Sequence, residues 1–271
     1  MDAFQAIVLG IVQGLTEFLP ISSTAHLRIV PAFAGWEDPG SAFTAVVQLG
    51  TMLAVLIYFR DDLWRILTTW LRSLRDPSLR GELDARMGWY IGLGTIPIAI
   101  FGFIFKDQIE SGGRDLYLIG TALIVMGLVL LYAEHVAKLN RDLSEITGKD
   151  AALMGFAQAL ALIPGVSRSG STITGGLFAG FDRESAARYS FLLSIPAVVL
   201  SGLFELRKIG DPGGAGLAPT VIATVLAFIV GYASIAWMLR WLTSHSTLVF
   251  VIYRVGLGAL VLVLTAAGAI S

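Results

Sequence analysis

Six long apolar runs constrain the fold of this 271-residue chain more than any other feature. A helix of about 20 apolar residues crosses the roughly 30 Å hydrocarbon core of a bilayer. The six runs are Ser41–Phe59, Trp89–Phe105, Leu116–His135, Ala187–Leu206, Ala218–Leu239 and Leu248–Ile270. Charged residues make up 14% of the chain, well below the ~25% typical of soluble domains. The sequence therefore predicts an all-α polytopic membrane protein with six transmembrane helices.

Charge and cysteine content exclude several functions. The formal net charge is −1, so the chain lacks the basic surplus that nucleic-acid binding requires, and no nucleic-acid partner is expected. Cysteine is absent, which rules out disulfides and thiolate metal sites.

Two further apolar segments are too short or too polar to span a membrane. Ala3–Leu19 stops at Pro20, and Ala151–Ile163 stops at Pro164. Proline lacks the N–H that continues a helix, so each segment is expected to break there. Broken backbone at membrane depth is tolerated only inside protein or beside a wet cavity. Both segments are therefore predicted to begin re-entrant helix pairs that enter the membrane, break and return.

The order of these segments predicts an internal repeat. Each broken segment is followed by three spans, and an odd number of spans inverts the second half relative to the first. The chain is thus expected to be a single membrane domain with an inverted-topology repeat, in halves of about 1–135 and 151–271. In such a plan the two broken helices meet near the membrane midplane.

The second break carries residues suited to a phosphate-like anion. Its sequence is Pro164-Gly165-Val166-Ser167-Arg168-Ser169-Gly170-Ser171-Thr172. Glycine lets the backbone approach a ligand closely, and serine or threonine caps the following helix so that its first N–H groups face the loop. Arginine adds a permanently charged fork of donors. The candidate binding residues are Gly165, Ser167, Arg168, Ser169 and Thr172.

The first break carries a second polar group. Gln13 and Glu17 are four residues apart and share one helix face. A carboxylate within a membrane segment is costly, so Glu17 is by default a functional candidate. After Pro20 come Ser22, Ser23, Thr24 and His26. Any of the three hydroxyl residues can cap the next helix, and His26 is a candidate acid, base or nucleophile.

Together, the two groups suit phosphoryl transfer. Glu17, with Gln13, offers hard oxygen ligands for Mg²⁺ or Ca²⁺, and Arg168 can stabilise charge that develops on phosphoryl oxygens. Positioning and charge neutralisation provide most of the catalysis in that reaction. In a membrane, the expected substrate is a lipid phosphate or diphosphate.

Both motifs resemble those of the bacterial undecaprenyl-diphosphatases, the bacitracin-resistance family of membrane phosphatases. The first family motif is read in Gln13 and Glu17 followed by Pro20-Ile21-Ser22-Ser23-Thr24-Ala25-His26, and the second is intact from Pro164 to Thr172. Two further short stretches, Val47-Gln48-Leu49-Gly50-Thr51 and Tyr253-Arg254, also resemble family sequences, so the resemblance covers essentially the whole chain. Gln13 stands where many members have glutamate, which removes one possible carboxylate ligand for a metal.

The resemblance implies hydrolysis of undecaprenyl diphosphate to undecaprenyl phosphate and inorganic phosphate in the bacterial cytoplasmic membrane. It implies that Glu17, with Gln13, holds the divalent cation. It implies further that Arg168 binds the diphosphate together with Gly165, Ser167, Ser169 and Thr172 of the second motif and Ser22 and Thr24 of the first. His26 then acts on the attacking or leaving group beside Ser23 or Thr24, and the nucleophile is left open between water, a hydroxyl and His26. The expected partners are the polyprenyl diphosphate and membrane lipids, and a homodimer is left open.

The basic residues predict an orientation. Ten lysines and arginines lie in the loops on the side of 60–88, against five on the other side. The positive-inside rule then places 60–88 in the cytoplasm and both termini outside. The family resemblance implies that the site is open to the outer face. Arg254, inside the last span, is expected either to brace the site or to snorkel to the interface.

Other functions remain open from the sequence. Inverted repeats with broken helices are also typical of secondary transporters, so a lipid-carrier flippase, with or without hydrolysis, is the main alternative. A non-catalytic protein that sequesters the lipid carrier is another. Phosphatases of the phosphatidic-acid type usually carry a Lys-x6-Arg-Pro signature, and this chain contains no Arg-Pro.

Overall fold

The computed structural model describes residues 1–112, 114–206 and 215–271, without the side chains of 110–112. Twelve α-helices lie in these ranges. They are α1 (Ala3–Thr16), α2 (Ser23–Ala34), α3 (Gly40–Tyr58), α4 (Arg60–Ser73), α5 (Leu83–Ile104), α6 (Lys106–Gly112), α7 (Leu116–Val136), α8 (Gly148–Ala159), α9 (Arg168–Phe178), α10 (Arg183–Glu205), α11 (Leu217–Leu242) and α12 (Leu248–Ala266). Arg207 and Lys208, counted above on the outer side, lie outside the described residues.

Six of these helices are long and apolar enough to cross a membrane, namely α3, α5, α7, α10, α11 and α12. Each overlaps one predicted span, so the expectation of an all-α polytopic membrane protein with six spans is confirmed. The largest difference is at α5, which begins at Leu83 rather than Trp89. Its first turns are polar, and Arg86 donates to the carbonyl of Ile146 at 3.2 Å. Hydropathy alone marks only the apolar part of this helix.

Both short apolar segments break earlier than their prolines. Helix α1 ends at Thr16, and α8 ends at Ala159 before a 3-10 turn over Leu160–Leu162. The residue before Pro164 has the extended backbone that proline imposes on its predecessor, with ψ of 115°. The helix therefore ends before the proline itself.

The helices that follow the two breaks start in the same way. Ser22 caps α2 and Ser167 caps α9, each accepting from the backbone N–H three residues later, at 3.4 and 3.0 Å. Both serines have a positive φ, of 73° and 74°. A residue with a side chain seldom adopts this conformation, and such strain is concentrated at functional sites.

In each broken pair, the start of the first helix and the end of the second lie at the same end. The rings of Phe4 and Trp36 are 6.1 Å apart, which joins the start of α1 to the end of α2. Arg141 binds Asp150 near the start of α8, at 2.7 Å, and the carbonyl of Ala179 after α9, at 2.6 Å. These contacts bring the two outer ends of each pair together, and re-entry of the pairs into the membrane stays a prediction.

Several helix contacts correspond when the two halves are exchanged, although α9 packs on α10 and α7 far more extensively than α2 packs on α3 and α12. Helix α1 packs on α11 as α8 packs on α5, while α3 packs on α10 and α7 on α12. Glycine permits close approach at corresponding places, since a Cβ on Gly10 or Gly155 would lie 2.6 Å from a backbone oxygen of the facing helix. A twofold relation between the halves would produce this pattern. The opposite orientation of the halves in the membrane and the division into 1–135 and 151–271 stay predictions.

Candidate functional site

The two polar motifs meet where the two breaks come together. The guanidinium of Arg168 donates through Nη2 to Oε1 of Glu17. The hydroxyl of Ser169 donates to the carbonyl of Leu19 at 2.9 Å. The side chains of Glu17 and Arg168 are only 7% and 16% exposed. Residues 151 positions apart thus form one nearly buried ion pair.

The carboxylate of Glu17 is hydrogen-bonded at both oxygens. Its Oε2 accepts from Nε2 of Gln13 at 2.7 Å and from the hydroxyl of Ser23 at 2.5 Å. The predicted shared helix face of Gln13 and Glu17 is confirmed by this contact. A buried ion pair is stable only when further hydrogen bonds satisfy its atoms, and these donors do so.

The amide oxygen of Gln13 fits a bound cation. Gln13 is fully buried, and its Oε1 has no hydrogen-bond partner among the described residues. A buried oxygen with free lone pairs, beside a carboxylate, is the donor type that Mg²⁺ or Ca²⁺ takes. Within the described ranges, no three His, Asp or Glu side chains gather as a ligand cluster. A cation here would share its shell with water or phosphate oxygens, as Mg²⁺ commonly does.

His26 is held at both ring nitrogens. Nδ1 lies 2.7 Å from the carbonyl oxygen of Ser22, and a carbonyl can only accept, so Nδ1 carries a proton. In the neutral ring, Nε2 then accepts from the hydroxyl of Tyr253, 2.7 Å away. The two rings are stacked, with centroids 5.6 Å apart. A catalytic role for His26 therefore requires Nε2 to leave Tyr253.

The predicted hydroxyl residues form pairs at the two helix starts. The hydroxyl oxygens of Ser22 and Thr24 are 3.2 Å apart at the start of α2, and those of Ser167 and Ser169 are 3.2 Å apart at the start of α9. Thr172 is different because its hydroxyl is turned inward: it donates to the carbonyl of Arg168 at 2.7 Å and contacts the hydroxyl of Ser190.

Gly165 is needed for packing in this structure. Its φ is +92°, and a Cβ there would lie 2.6 Å from the carbonyl oxygen of Ile119 on α7. Only glycine accommodates both constraints. Direct contact of Gly165 and Thr172 with a diphosphate stays a prediction.

Arg254 holds both breaks in place. Its guanidinium is fully buried and donates to four carbonyls, at distances from 2.9 to 3.1 Å. They belong to Pro20 in the first break, Gly165 and Val166 in the second, and Leu123 on α7. The prediction that Arg254 snorkels to the interface is wrong, because its guanidinium stays buried among these carbonyls. The broken helices leave buried carbonyls unpaired, and a guanidinium has enough N–H groups to bind several of them. The sequence does not predict the contact between Tyr253 and His26. The only sign of it is that the polar pair Tyr253-Arg254 lies inside an apolar span.

Arg254→Lys is expected to destabilise the protein. Lysine has three donors at a single point, so at least one of the four carbonyls loses its partner, at about 1–3 kcal/mol for each buried group. The expected result is a lower Tm of the purified protein in detergent. Arg240→Lys, at an exposed arginine near the end of α11, is the matched control. An unchanged Tm for Arg254→Lys would show that the guanidinium contacts contribute nothing.

Comparison with known proteins identifies the family. The family model described as bacitracin resistance protein BacA matches residues 6–260. The chain belongs to this family. A relative named undecaprenyl-diphosphatase, from Nocardioides sp. (strain ATCC BAA-499 / JS614), is 57% identical over 274 residues, which cover 100% of this chain and 99% of the relative. Proteins of the same name from Thermobifida fusca (strain YX) and Streptomyces griseus are 53% and 55% identical across this whole chain, covering 93% and 97% of their own lengths.

The two sequence motifs of this BacA-family chain are therefore joined in space. The ion pair of Glu17 and Arg168 connects them, and Ser23 and Gln13 donate hydrogen bonds to the Glu17 carboxylate. Arg254 binds backbone carbonyls in both breaks. Such a site combines a carboxylate next to a hydroxyl with a guanidinium close by, all shielded from bulk water. It can activate a hydroxyl and stabilise negative charge on a phosphoryl group.

Proposed function

We propose that this protein is an integral membrane phosphatase that hydrolyses undecaprenyl diphosphate to undecaprenyl phosphate and inorganic phosphate. The observation that carries the proposal is the contact between Glu17 and Arg168, which joins both motifs in one shielded site. The full-length relatives named undecaprenyl-diphosphatase support the choice of substrate. Releasing the monophosphate recycles the lipid carrier for cell-wall polymers and is consistent with the bacitracin resistance for which the family is described.

Arg168 is proposed to bind the terminal phosphoryl group. Without substrate, its Nη2 is bound to Glu17, and the remaining N–H groups of the fork are the donors for phosphoryl oxygens. The first N–H groups of α9, which Ser167 caps, add donors at the positive end of that helix. Ser169, through its bond to Leu19, keeps this loop against the first break.

Ser23 is proposed as the nucleophile, with Glu17 as its base. The Ser23 hydroxyl already donates to Oε2 of Glu17 at 2.5 Å. In the first step, Oγ bonds to the terminal phosphorus, its proton passes to Glu17, and the bond from phosphorus to the bridging oxygen breaks. The electron pair leaves with undecaprenyl phosphate. Water then attacks the phosphorus of the phosphoserine, and the bond from phosphorus to Oγ of Ser23 breaks. Oγ takes back its proton from Glu17, and both protons of the water leave with inorganic phosphate.

A divalent cation, Mg²⁺ or Ca²⁺, is proposed to be held by Gln13 and Glu17 together with substrate oxygens. The unpartnered Oε1 of Gln13 supports this assignment. When bound, such a cation neutralises charge on the diphosphate. His26 is proposed to orient the start of α2 through its bonds to Ser22 and Tyr253. It is proposed to protonate the leaving phosphate only after Nε2 has left Tyr253 and has taken up a proton from water.

The orientation is also proposed, with 60–88 in the cytoplasm, both termini outside and the site open to the outer face. Two further arginines support it, because each pairs with a residue at the side assigned to the cytoplasm. Arg183 donates to Glu134 near the end of α7 at 2.7 Å, and Arg188 to Asp62 at the start of α4 at 2.8 Å. These two arginines increase the excess of positive charge on the side assigned to the cytoplasm.

Phosphate release by the purified protein tests the function. With undecaprenyl diphosphate in detergent, we expect many turnovers per molecule, abolished by EDTA and unaffected in His135→Ala, at an exposed histidine outside the site. Undiminished turnover in EDTA would overturn the cation proposal and leave the phosphatase standing. Binding of the lipid without any phosphate release would overturn the phosphatase, and movement of the intact carrier across vesicles would then favour the flippase.

A further inference from the structure

A second buried glutamine, Gln158 on α8, has an amide that the surrounding protein does not pair. Gln158 is fully buried, and neither its Oε1 nor its Nε2 has a hydrogen-bond partner among the residues that the structure describes. A buried polar group without a partner destabilises the fold, and native proteins keep few of them. The site described above does not use this side chain, so the amide needs an explanation of its own.

Gln158 corresponds to Gln13 in the other broken segment. Each glutamine is fully buried and comes nine residues before the serine that caps the next helix, which is Ser167 for Gln158 and Ser22 for Gln13. The two caps have nearly the same backbone φ, 74° and 73°. Arg254 donates to the carbonyl two residues before each cap, at 3.0 and 2.9 Å. The two glutamine side chains therefore start from equivalent places beside equivalent loops.

In the first segment, the glutamine amide binds an anionic oxygen at the start of the next helix. Nε2 of Gln13 donates to Oε2 of Glu17 at 2.7 Å, and the same oxygen accepts from the hydroxyl of Ser23 at 2.5 Å. Ser23 is the first residue of α2, and Arg168 is the first residue of α9. The equivalent place for the amide of Gln158 is therefore beside Arg168.

The second segment supplies no carboxylate to that place. Gln13 is followed four residues later by the glutamate that it binds, but Gln158 is followed at the same distance by Leu162. The side chain of Leu162 packs towards α5, where a Cβ on Gly102 would lie 3.6 Å from its Cδ2. The amide N–H of Gln158 thus lacks the anionic oxygen that its counterpart has, next to the arginine assigned to the phosphate.

We propose that Nε2 of Gln158 donates to a phosphoryl oxygen of the diphosphate bound at Arg168. That oxygen takes the same place relative to Gln158 as Oε2 of Glu17 takes relative to Gln13. The inference rests on the proposed function, because it adds a residue to the phosphate site for the same substrate. A neutral amide adds a donor there without the desolvation cost of a second buried cation. Its N–H stays unpaired in the free protein and is paired when the diphosphate binds.

Gln158→Met tests the proposal. Methionine is unbranched and similar in length to glutamine, so it fills the same space without an amide. We expect the free variant to have an equal or higher Tm, because an unpaired buried amide has been removed. Methylenediphosphonate, a diphosphate analogue that is not hydrolysed, is expected to raise the Tm of the unmodified protein. Its Kd and kcat/KM for undecaprenyl diphosphate should each worsen about tenfold in the variant, as for the loss of one hydrogen bond to a charged group.

Two further variants complete the experiment. Gln108→Met, at an exposed glutamine on α6, is the matched control and should behave as the unmodified protein. Gln158→Asn keeps an amide but withdraws it by one methylene group, so the fold is retained and the Kd for methylenediphosphonate is again expected to weaken. An unchanged Kd in Gln158→Asn would overturn the proposal even where Gln158→Met does not fold.

The outcomes separate the role of Gln158 from the proposed function. An unchanged Kd in Gln158→Met, or a Tm of the free variant that falls together with its affinity, would overturn the proposal, the second result because it assigns the amide a structural role. No stabilisation of the unmodified protein by methylenediphosphonate would overturn it too. Binding of this analogue requires no hydrolysis. Absence of phosphate release by the unmodified protein would therefore overturn the proposed function, while weaker binding in Gln158→Met would still assign Gln158 to a diphosphate site.

Discussion

Arg168→Lys is expected to lower kcat for phosphate release by at least about 10²-fold, comparable to the loss of one preorganised transition-state donor. Lysine keeps the positive charge but loses the planar fork, which here contacts Glu17 through one nitrogen and leaves others for the substrate. A point charge cannot serve the carboxylate and several phosphoryl oxygens together. The loss should therefore appear mainly in kcat, because charge develops on those oxygens in the transition state.

The control for Arg168→Lys is Arg188→Lys, at a partly exposed arginine that pairs with Asp62. It makes the same chemical change outside the site and should leave kcat and KM unchanged. Equal activities of Arg168→Lys and the unmodified protein would refute the phosphate-binding role of Arg168. A rise in KM without a change in kcat would instead show that the guanidinium binds substrate and transition state equally.

The spans could be predicted from the sequence because contact with lipid imposes a local requirement for apolar residues. All six were found, although α5 extends beyond its apolar part, through Leu83 to Gly88. Helix α4 and the 3-10 turn before α5 have no comparable hydropathy signal. The breaks near Pro20 and Pro164 were recognised from composition, but their true starts, at Thr16 and Ala159, depend on local backbone conformation that hydropathy does not report.

The site was predictable only in part. Gln13 and Glu17 share a face because helical spacing is local, and their contact follows from it. The partners of His26 and Arg254 are different, since Tyr253 is 227 residues from His26 and Pro20 is 234 residues from Arg254. Such contacts depend on how distant helices pack. The sequence offers Ser22, Ser23 and Thr24 equally as the cap of α2, and the backbone conformation makes Ser22 the cap.

Ser23→Ala is expected to lower phosphate release by at least about 10³-fold, because removal of an enzymatic nucleophile commonly costs that much or more. Ser23 is the proposed nucleophile because its hydroxyl lies 2.5 Å from Oε2 of Glu17, whereas both nitrogens of His26 are already bonded. Ser246→Ala, at a serine in the loop between α11 and α12, is the matched control and should have full activity.

The nucleophile can be identified directly by acid quenching during turnover of substrate labelled with ³²P in its terminal phosphate. The unmodified protein should retain label as phosphoserine, and Ser23→Ala should retain none, because the hydroxyl of Ser23 is the one that donates to Glu17 among the residues that the structure describes. Normal turnover by Ser23→Ala would show that water attacks the phosphorus directly, with Glu17 as its base. Loss of turnover together with undiminished labelling would assign the covalent step to another residue.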